Sequence, residues 1–521
     1  MKIFDKIRVS IPKKNKFDLS HERKLTMAMG ELVPVMVQEV LPGDSFRCQT
    51  EVFVRLFPML APIMHRVNVT CHSWFVPYRI VWDEWEEFIT GGETGLPPFP
   101  VMPHMMTATM FDQNQGVTEA SLSDYLGLPL LQSNVQSVPI QALWYRAYQL
   151  IYNTYYRDQN LQAEIEFGLG SGVISDPGEI AALCSIRKRC WEKDYLTSCL
   201  PFAQRGAAVE IPIDLAGYAP VTADPLNVGT VSATVSGTEQ PGALGVGYGI
   251  DVTDPDVPTD NALYARIAGL ASTTTINALR RAQELQRWLE AMARGGARYA
   301  EQLMNIWGKR SSDARLQRPE YLGGYKAPVR ISEVLQTVND VQTLDGDPLG
   351  TMGGHGYSIG KGNGFKRSFE EHGVVITLMS VLPVTAYQDG IPREMSRMDK
   401  LDFPWPQFAN IGEQEVLEKE VYFNGAAAGS NPLADDTFGY QSRYAECKYK
   451  PSTVHGDMRT ELDFWHMGRK LAGPMELNEF FVESDPTTRI FPDPSNAYTV
   501  IAQVYHKFDA LRPLPYFGTP I

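Results

Sequence analysis

Residues 44–92 have the sequence DSFRCQTEVFVRLFPMLAPIMHRVNVTCHSWFVPYRIVWDEWEEFITGG. Apolar and polar side chains alternate in residues 46–56 and again in residues 67–75. This period of two predicts two β-strands, each with one buried face and one face that meets water or a partner. Pro58 and Pro62 separate the two strands, because proline interrupts regular pairing.

A short helix is predicted directly after the second strand. Trp82, Trp85 and Phe88 recur at helical spacing among acidic residues. Gly91-Gly92 is a typical end for such a helix.

Strands that are distant in the sequence complete the pattern. Residues 373–385 are a nearly continuous apolar run, which predicts a strand buried on both faces. A further strand is predicted around residues 498–505. Strands this far apart must pair non-locally, which favours a Greek-key or jelly-roll sandwich with long loops.

Helices and one compositional change interrupt the strands. Residues 140–165 and 275–307 have helical spacing of apolar side chains, and Gly295-Gly296 is expected to bend or split the second helix. Residues 214–262 contain no Lys or Arg and are rich in Gly, Ala, Thr, Val and Asp. We interpret them as a surface insertion with small strands of its own, the alternative being a flexible linker.

Charge is distributed unevenly along the chain. The net charge is −14, yet residues 1–24 hold eight basic and three acidic side chains. The first 30 residues are therefore interpreted as a basic N-terminal arm on an acidic body, either facing nucleic-acid phosphates or solvated without a ligand. The candidates for nucleic-acid contact are Lys13, Lys14, Lys16, Arg23 and Lys24.

The sequence favours neither a membrane-spanning protein nor a disulfide-stabilised one. No apolar run reaches the roughly 18 residues that a membrane span needs, and the first residues lack a secretory apolar stretch. The six cysteines have no CxxC spacing, so we expect them to be reduced and buried.

Motifs for chemistry are absent from the sequence. The Gly-rich residues 350–365 fail the phosphate-loop pattern because Lys361 precedes Gly362 rather than Ser or Thr. Lys361, Lys366 and Arg367 remain able to touch phosphate. No zinc-ligand spacing or Gly-x-Ser-x-Gly elbow occurs. We therefore predict no catalytic residue, metal or cofactor, and no enzyme activity.

Aromatic side chains lie beside basic ones in residues 401–408, 443–450 and 462–470. Such segments stack on unpaired bases or form protein contacts, and we favour contact or core roles. The candidates for contacts between subunits are Trp82, Trp85, Trp405, Tyr444, Trp465, Tyr516 and Phe517.

Taken in order, several segments resemble the major capsid protein of the microviruses, small icosahedral single-stranded DNA bacteriophages, and most closely the gokushovirus-like branch. The segments that carry the resemblance span nearly the whole length: FDLSHERK (17–24), HRVNVTCHSWFVP (65–77), WDEWEEFITGG (82–92), SDARLQRPEYLGG (312–324), FEEHGVVITL (369–378), LDFPWPQFANIGEQEV (401–416), FGYQSRYAECKYKPS (438–452), LDFWHMGRK (462–470) and LRPLPYFGTP (511–520).

The resemblance implies a fold and a function. The fold is a single all-β domain, an eight-stranded antiparallel jelly roll of the viral capsid type with long helix-containing insertions. The function is a T=1 shell of sixty copies, built from pentamers in the bacterial cytoplasm around circular single-stranded DNA. Residues 214–262 correspond to a protrusion at the threefold axis and to a candidate host-attachment element, with Thr230, Thr234, Thr238 and Tyr248 as receptor candidates.

The resemblance also implies partners. They are an internal scaffolding protein, a minor pilot protein, a small basic DNA-binding protein and a receptor on the bacterial surface. Two other classes stay open on sequence alone: an all-β carbohydrate-binding or carbohydrate-active protein, and a free nucleic-acid-binding protein. An enzyme of the first class needs a cleft with two opposed carboxylates, and the acidic body disfavours the second class.

Overall fold

The computed structural model describes residues 13–92, 96–112, 118–130, 136–207, 209, 218–220, 232–235, 238–241, 264–266, 276–296, 298–335, 352–362, 364–423 and 436–517. The chain forms two compact units, one of residues 1–203 with 292–521 and one of residues 204–291.

The strands in the described residues are β1 Asn15–Asp18, β2 His21–Met27, β3 Val33–Val40, β4 Ser45–Leu56, β5 Val67–Pro77, β6 His104–Met106, β7 Pro139–Gln141, β8 Tyr218–Pro220, β9 Ser232–Val235, β10 Thr238–Pro241, β11 Tyr264–Arg266, β12 Glu320–Pro328, β13 Arg330–Leu335, β14 Met352–Lys361, β15 Phe365–Ser368, β16 Gly373–Pro383, β17 Ala386–Tyr387, β18 Glu413–Leu417, β19 Thr437–Ser442, β20 Ser452–Thr453 and β21 Val500–Arg512. The α-helices are α1 Trp85–Thr90, α2 Thr107–Asp112, α3 Leu122–Leu126, α4 Leu143–Ile151, α5 Pro177–Cys184, α6 Ile276–Gly295, α7 Tyr299–Trp307, α8 Glu418–Val421 and α9 Glu479–Val482.

Two antiparallel sheets dominate the larger unit. The first has the order β1–β21–β4–β14–β13, with β2 also pairing with β21 and β15 with β4. The second has the order β12–β5–β16–β3. Because Val500 of β21 pairs with Leu56 of β4, the prediction of non-local pairing is confirmed.

The strand β4 shows the predicted alternation, with every second side chain from Phe46 to Leu56 buried. Val52 and Val54 pack in one apolar cluster with Val69 and Val381 of the second sheet. The two sheets therefore form a sandwich whose core is the pair of inner faces.

The strand β5 departs from the prediction, because both of its faces are covered. Trp74 lies on the face opposite Val69, and its ring stacks on Tyr155 with 4.0 Å between centroids. That face packs in the cluster that holds Leu143 and Ala147 of α4. A chain segment about 70 residues away thus covers the face that the sequence analysis left to water or a partner. The strand β16 is buried along its whole length, as predicted.

Residues 13–30 contain more strand structure than the sequence analysis predicts. We expected little strand structure up to residue 30, but β1 and β2 both pair with β21. Only Met27 of β2 is fully buried. A half-exposed edge strand carries charged side chains on its wet face, so its apolar pattern is weak in the sequence.

The predicted helices are present with shorter bounds. The helix α1 begins at Trp85 and ends at Thr90, and it is capped by Gly91, which has the left-handed φ of 80° that favours glycine. The α-helical part of residues 140–165 is α4. Residues 275–307 divide into α6 and α7 around Gly296, as predicted. Each helix in the described ranges is too short or too polar to cross a membrane.

Candidate assembly surfaces

A segment between β17 and β18 presents large apolar side chains to solvent. We call residues 393–411 the contact segment. Its exposed side chains include Met398 at 88%, Met395 at 74% and Trp405 at 45% of their full accessibility, with Leu401, Phe403 and Ile411 also exposed. Exposed apolar side chains grouped in one segment make it a candidate for contact with another protein.

Hydrogen bonds hold the backbone of the contact segment in place. The Asp402 carboxylate accepts from the backbone N–H groups of Met398 and Asp399, both at 2.8 Å. The Trp405 indole donates to the carbonyl of Lys400 at 2.8 Å. The apolar side chains are therefore displayed on a fixed loop, which lowers the entropy cost of docking.

Two ion pairs attach the contact segment to the body of the larger unit. Arg393 Nη1 lies 2.8 Å from Glu420 Oε1, and Arg397 Nη2 lies 2.8 Å from Glu446 Oε1. Both carboxylates are buried. The Gln414 amide also donates to Glu446, at 2.7 Å. Buried charge pairs fix one geometry, since breaking either leaves an uncompensated charge.

Acidification is expected to loosen the anchor at Glu446. Burial alone would raise the pKa of this carboxyl, but the hydrogen bonds from Gln414 and Arg397 outweigh it and hold the pKa below its ordinary value of 4.5. A carboxyl whose pKa is lower in the folded than in the unfolded protein contributes its full stabilisation of the fold above its unfolded pKa. This contribution is lost as the pH falls through the folded pKa. The loss is about 1–3 kcal/mol for hydrogen bonds to a charged group. Amide hydrogen-exchange protection of residues 397–411 should therefore drop below pH 4.5.

The variant Glu446→Gln is the control for this pH prediction. It should show reduced protection already at neutral pH and little further loss on acidification. Protection of residues 397–411 that falls equally with pH in the variant would assign the effect to another group.

Three aromatic residues predicted as subunit contacts lie inside their own subunit. Trp82 is fully buried in the cluster of α4 and β5, and Trp85 lies beside it with 5.9 Å between ring centroids. Tyr444 is also buried. These side chains offer less than a tenth of their surface to a neighbouring subunit, so in this structure they are core residues. Their helical or aromatic–basic patterns did not distinguish an internal face from an external one.

The other predicted contact residues reach the surface. Trp405 belongs to the contact segment, and Trp465 is half-buried. Tyr516 and Phe517 are exposed near the end of the described chain. The Tyr516 ring packs on Phe17 with 5.1 Å between centroids, which fixes this end against β1. These four residues remain candidates for subunit contact.

The basic residues predicted to face nucleic acid differ in their surroundings. Lys16 pairs with Asp509 at 2.9 Å, and Lys24 lies 4.0 Å from Glu22. The Arg23 guanidinium donates to the carbonyl of Tyr125 at 2.8 Å, and burial lowers its pKa. Lys13 is exposed, and Lys14 bonds the carbonyl of Gly43. Four of the five side chains, all except Lys13, thus have a side-chain or backbone partner in their own subunit that competes with phosphate.

The surface insertion is described only in part. Thr234 lies in β9 and Thr238 in β10, and these two strands pair antiparallel. Thr230 and Tyr248 lie outside the described residues, as do residues 1–12 of the arm.

No metal centre or catalytic cluster stands out where the structure is described. Among those residues, no group of three His, Cys, Asp or Glu side chains is placed to hold a metal ion. A cavity of about 870 Å³ is lined in part by Arg23, Tyr125, Glu119 and Asp124. Asp124 accepts from the backbone N–H of Ala120 at 3.0 Å, which gives this carboxylate a structural role at the start of α3.

The cysteines are free, as expected, and most are buried. Cys190 is half-buried, and the side chain of Cys447 is exposed. Cys447 lies in the turn after Tyr444, where the neighbouring residues show no apolar pattern that predicts burial.

Sequence reasoning found part of the contact segment and missed the rest. Trp405 was identified from its aromatic neighbours. Met395 and Met398 were not, because methionine is as common in cores as at surfaces. The one signal in the sequence was that Met395 and Met398 alternate with Arg393 and Arg397. The carboxylates that pair with these arginines lie 27 and 49 residues further along the chain, so the local pattern does not reveal the pairing.

Comparison with known proteins agrees with this geometry. A family model described as capsid protein (F protein) matches residues 6–521. The chain is 33% identical to capsid protein VP1 of Chlamydia phage 1, over 99% of this chain and 97% of that protein. It is 35% identical to capsid protein VP1 of Bdellovibrio phage phiMH2K, over 97% and 95% of the two chains. It is 28% identical to capsid protein VP1 of Spiroplasma virus 4, again over 97% and 95%. The resemblance seen in the sequence is confirmed.

Proposed function

Because this chain belongs to the capsid protein (F protein) family, we propose that sixty copies of it close into a T=1 icosahedral shell around circular single-stranded DNA. The family makes the protein a structural, non-enzymatic component of the virion that assembles with copies of itself. The symmetry, the copy number and the enclosed DNA are the proposal.

The contact segment is the observation that carries this proposal. A shell subunit needs several heterologous contacts whose rotations close on themselves. Each specific contact buries about 1,200–2,000 Å². Exposed Met398, Phe403 and Trp405 on an anchored loop supply the apolar centre of one such contact. The exposed Tyr516 and Phe517 are candidates for a second contact.

We further propose that the sandwich is an eight-stranded jelly roll. Support comes from four strands in each sheet, β2, β21, β4 and β14 in the first and β12, β5, β16 and β3 in the second, all paired antiparallel. On this proposal, β1, β13 and β15 extend the edges of the first sheet.

Particle formation is the direct test. Sixty copies of a 58.2 kDa chain have a mass of about 3.5 MDa, which sedimentation and electron microscopy of the expressed protein measure together. We expect closed icosahedral particles. A protein that remains monomeric and binds or cleaves oligosaccharides would support the carbohydrate alternative instead.

Deletion of residues 225–255 tests the surface insertion. We propose that this part of residues 214–262 carries host attachment, because exposed loops with little packing often carry recognition. Particles of the deletion variant should form in normal yield and attach to host cells at least about tenfold less. Loss of assembly would make the insertion a structural element.

Charge reversal in the arm tests the proposed DNA contacts of Lys13, Lys14 and Lys16. The triple variant to Glu should roughly halve the DNA content per particle, because three charges change sign and the net charge of each arm falls by six units against phosphate. Because Lys16 already pairs with Asp509, the double variant Lys13→Glu/Lys14→Glu is measured in parallel with the triple variant. Unchanged DNA content in both variants would show that these lysines do not hold the DNA.

Further partners are proposed from the family resemblance. They are a small basic DNA-binding protein, an internal scaffolding protein, a minor pilot protein and a bacterial surface receptor, with pentamers as the assembly unit. The net charge of −14 supports the first of these, since packaged DNA needs many more cations than this chain supplies.

A further inference from the structure

We infer that Arg310, Ser311, Ser312 and Lys366 form a binding site for the phosphates of a single-stranded nucleic acid. The inference rests on the proposed function, because it names where the shell subunit would hold the DNA that it encloses. It assigns that contact to a surface cavity of about 370 Å³, a volume within the range of about 300–1,000 Å³ that ligand pockets occupy.

The fold brings two basic pairs of the sequence together at this cavity. Lys309-Arg310 follows the end of α7, and Lys366-Arg367 belongs to β15. Residues 310–314 and 365–367 both line the cavity, together with Tyr321 of β12. Neither pair is a recognisable site alone, and the pairing of β15 with β4 is what positions the second pair.

The acidic side chains that line the cavity are already paired. Asp313 pairs with Arg318 at 2.6 Å, and Glu320 pairs with Arg367 at 2.8 Å. Arg310 and Lys366 are exposed and, in the part of the chain that the structure describes, form no ion pair. Two uncompensated cations therefore face one cavity on a chain whose net charge is −14, and an anion is attracted to them.

The donors around the cavity suit phosphate. A guanidinium binds phosphate oxygens in a bidentate manner, and an ammonium adds a point charge. The Ser312 hydroxyl oxygen accepts from the backbone N–H of Arg315 at 3.4 Å, which leaves its own proton free to donate. The Tyr321 ring beside these donors is 45% exposed, so an unpaired base can stack on it. A carboxylate on a neighbouring subunit could use the cations and the hydroxyls but not the ring, so the ring is the feature that favours a nucleic acid.

The test measures how binding of labelled oligothymidine by the full-length subunit depends on salt. For single strands, each phosphate contact contributes about 0.7 to the slope of log K against log salt. The variant Arg310→Gln/Lys366→Gln should lower this slope by about 1.4 and weaken binding about tenfold at low salt. The matched control Lys188→Gln/Lys470→Gln removes the same charge from two ion-paired lysines elsewhere on the larger unit. Its slope and affinity should stay within about twofold of the wild type.

Circular dichroism and thermal melts show that both variants are folded before binding is compared. An unchanged slope in the cavity variant overturns the inference. So does a cavity variant that binds normally but no longer forms particles, since the residues would then be a subunit contact. Electron microscopy of the particles separates this failure from that of the proposed function. If the cavity variant forms normal shells with normal DNA content, only this binding site is refuted. If the wild type forms no shells, the proposed function itself is refuted.

Discussion

The variant Met398→Asp is expected to abolish shell assembly while leaving the subunit folded. Met398 is the most exposed large apolar side chain of the contact segment. An aspartate at the centre of an apolar contact must be desolvated without a partner, which costs several kcal/mol for each contact. Every copy in the shell pays this cost, so closure fails. Sedimentation should show subunits or small oligomers in place of particles.

The stability of the isolated subunit is the control for this variant. Because the Met398 side chain is 88% exposed, a polar substitution there changes the free energy of unfolding by about 0.5 kcal/mol or less. The conservative variant Met398→Leu keeps an apolar surface of similar size and should assemble. Normal particles from Met398→Asp would show that the contact segment faces solvent in the shell.

The variant Trp82→Ala is expected to lower the free energy of unfolding by about 3–5 kcal/mol, the range for truncating a buried aromatic side chain. Trp82 is fully buried, and its ring contacts Phe88 with 4.9 Å between centroids. Its indole also donates to the Ser171 hydroxyl at 2.8 Å. The variant therefore leaves a cavity and removes a hydrogen bond from the cluster that covers β5.

The matched variant is Trp405→Ala, which truncates the same side chain on the surface. We expect about 1 kcal/mol or less of destabilisation from it, with a clear defect in assembly. Chemical denaturation of disassembled subunits compares the two variants directly. Equal destabilisation by both substitutions would contradict the division into core and contact residues.

The strands were predictable wherever one chemical pattern decided them. The alternation in β4 and the apolar run in β16 identify their burial without any tertiary knowledge. The strand β5 was not fully predictable, because Trp74 is covered by Tyr155 from a distant helix. Whether Trp82 is core or contact depended on the same packing, which local spacing does not encode.

The candidate surfaces were predictable only in outline. Trp405 was chosen by residue type, but the ion pair of Arg397 with Glu446, which anchors its segment, joins positions that share no sequence pattern. The basic arm was predicted from its charge, whereas no sequence pattern indicated that Asp509 would pair with Lys16. The cavity at Arg310 and Lys366 needed β15 to bring two short basic pairs together. In each case the missing information is which distant side chain arrives beside a recognisable one.

A reconstruction of the assembled particle by electron cryomicroscopy tests the central claim most directly. The claim is that the contact segment, anchored by Arg393 and Arg397, is an apolar contact between subunits. The account predicts that Met398 and Trp405 lie within van der Waals distance of a neighbouring copy. A map in which both side chains face solvent on every copy would contradict it.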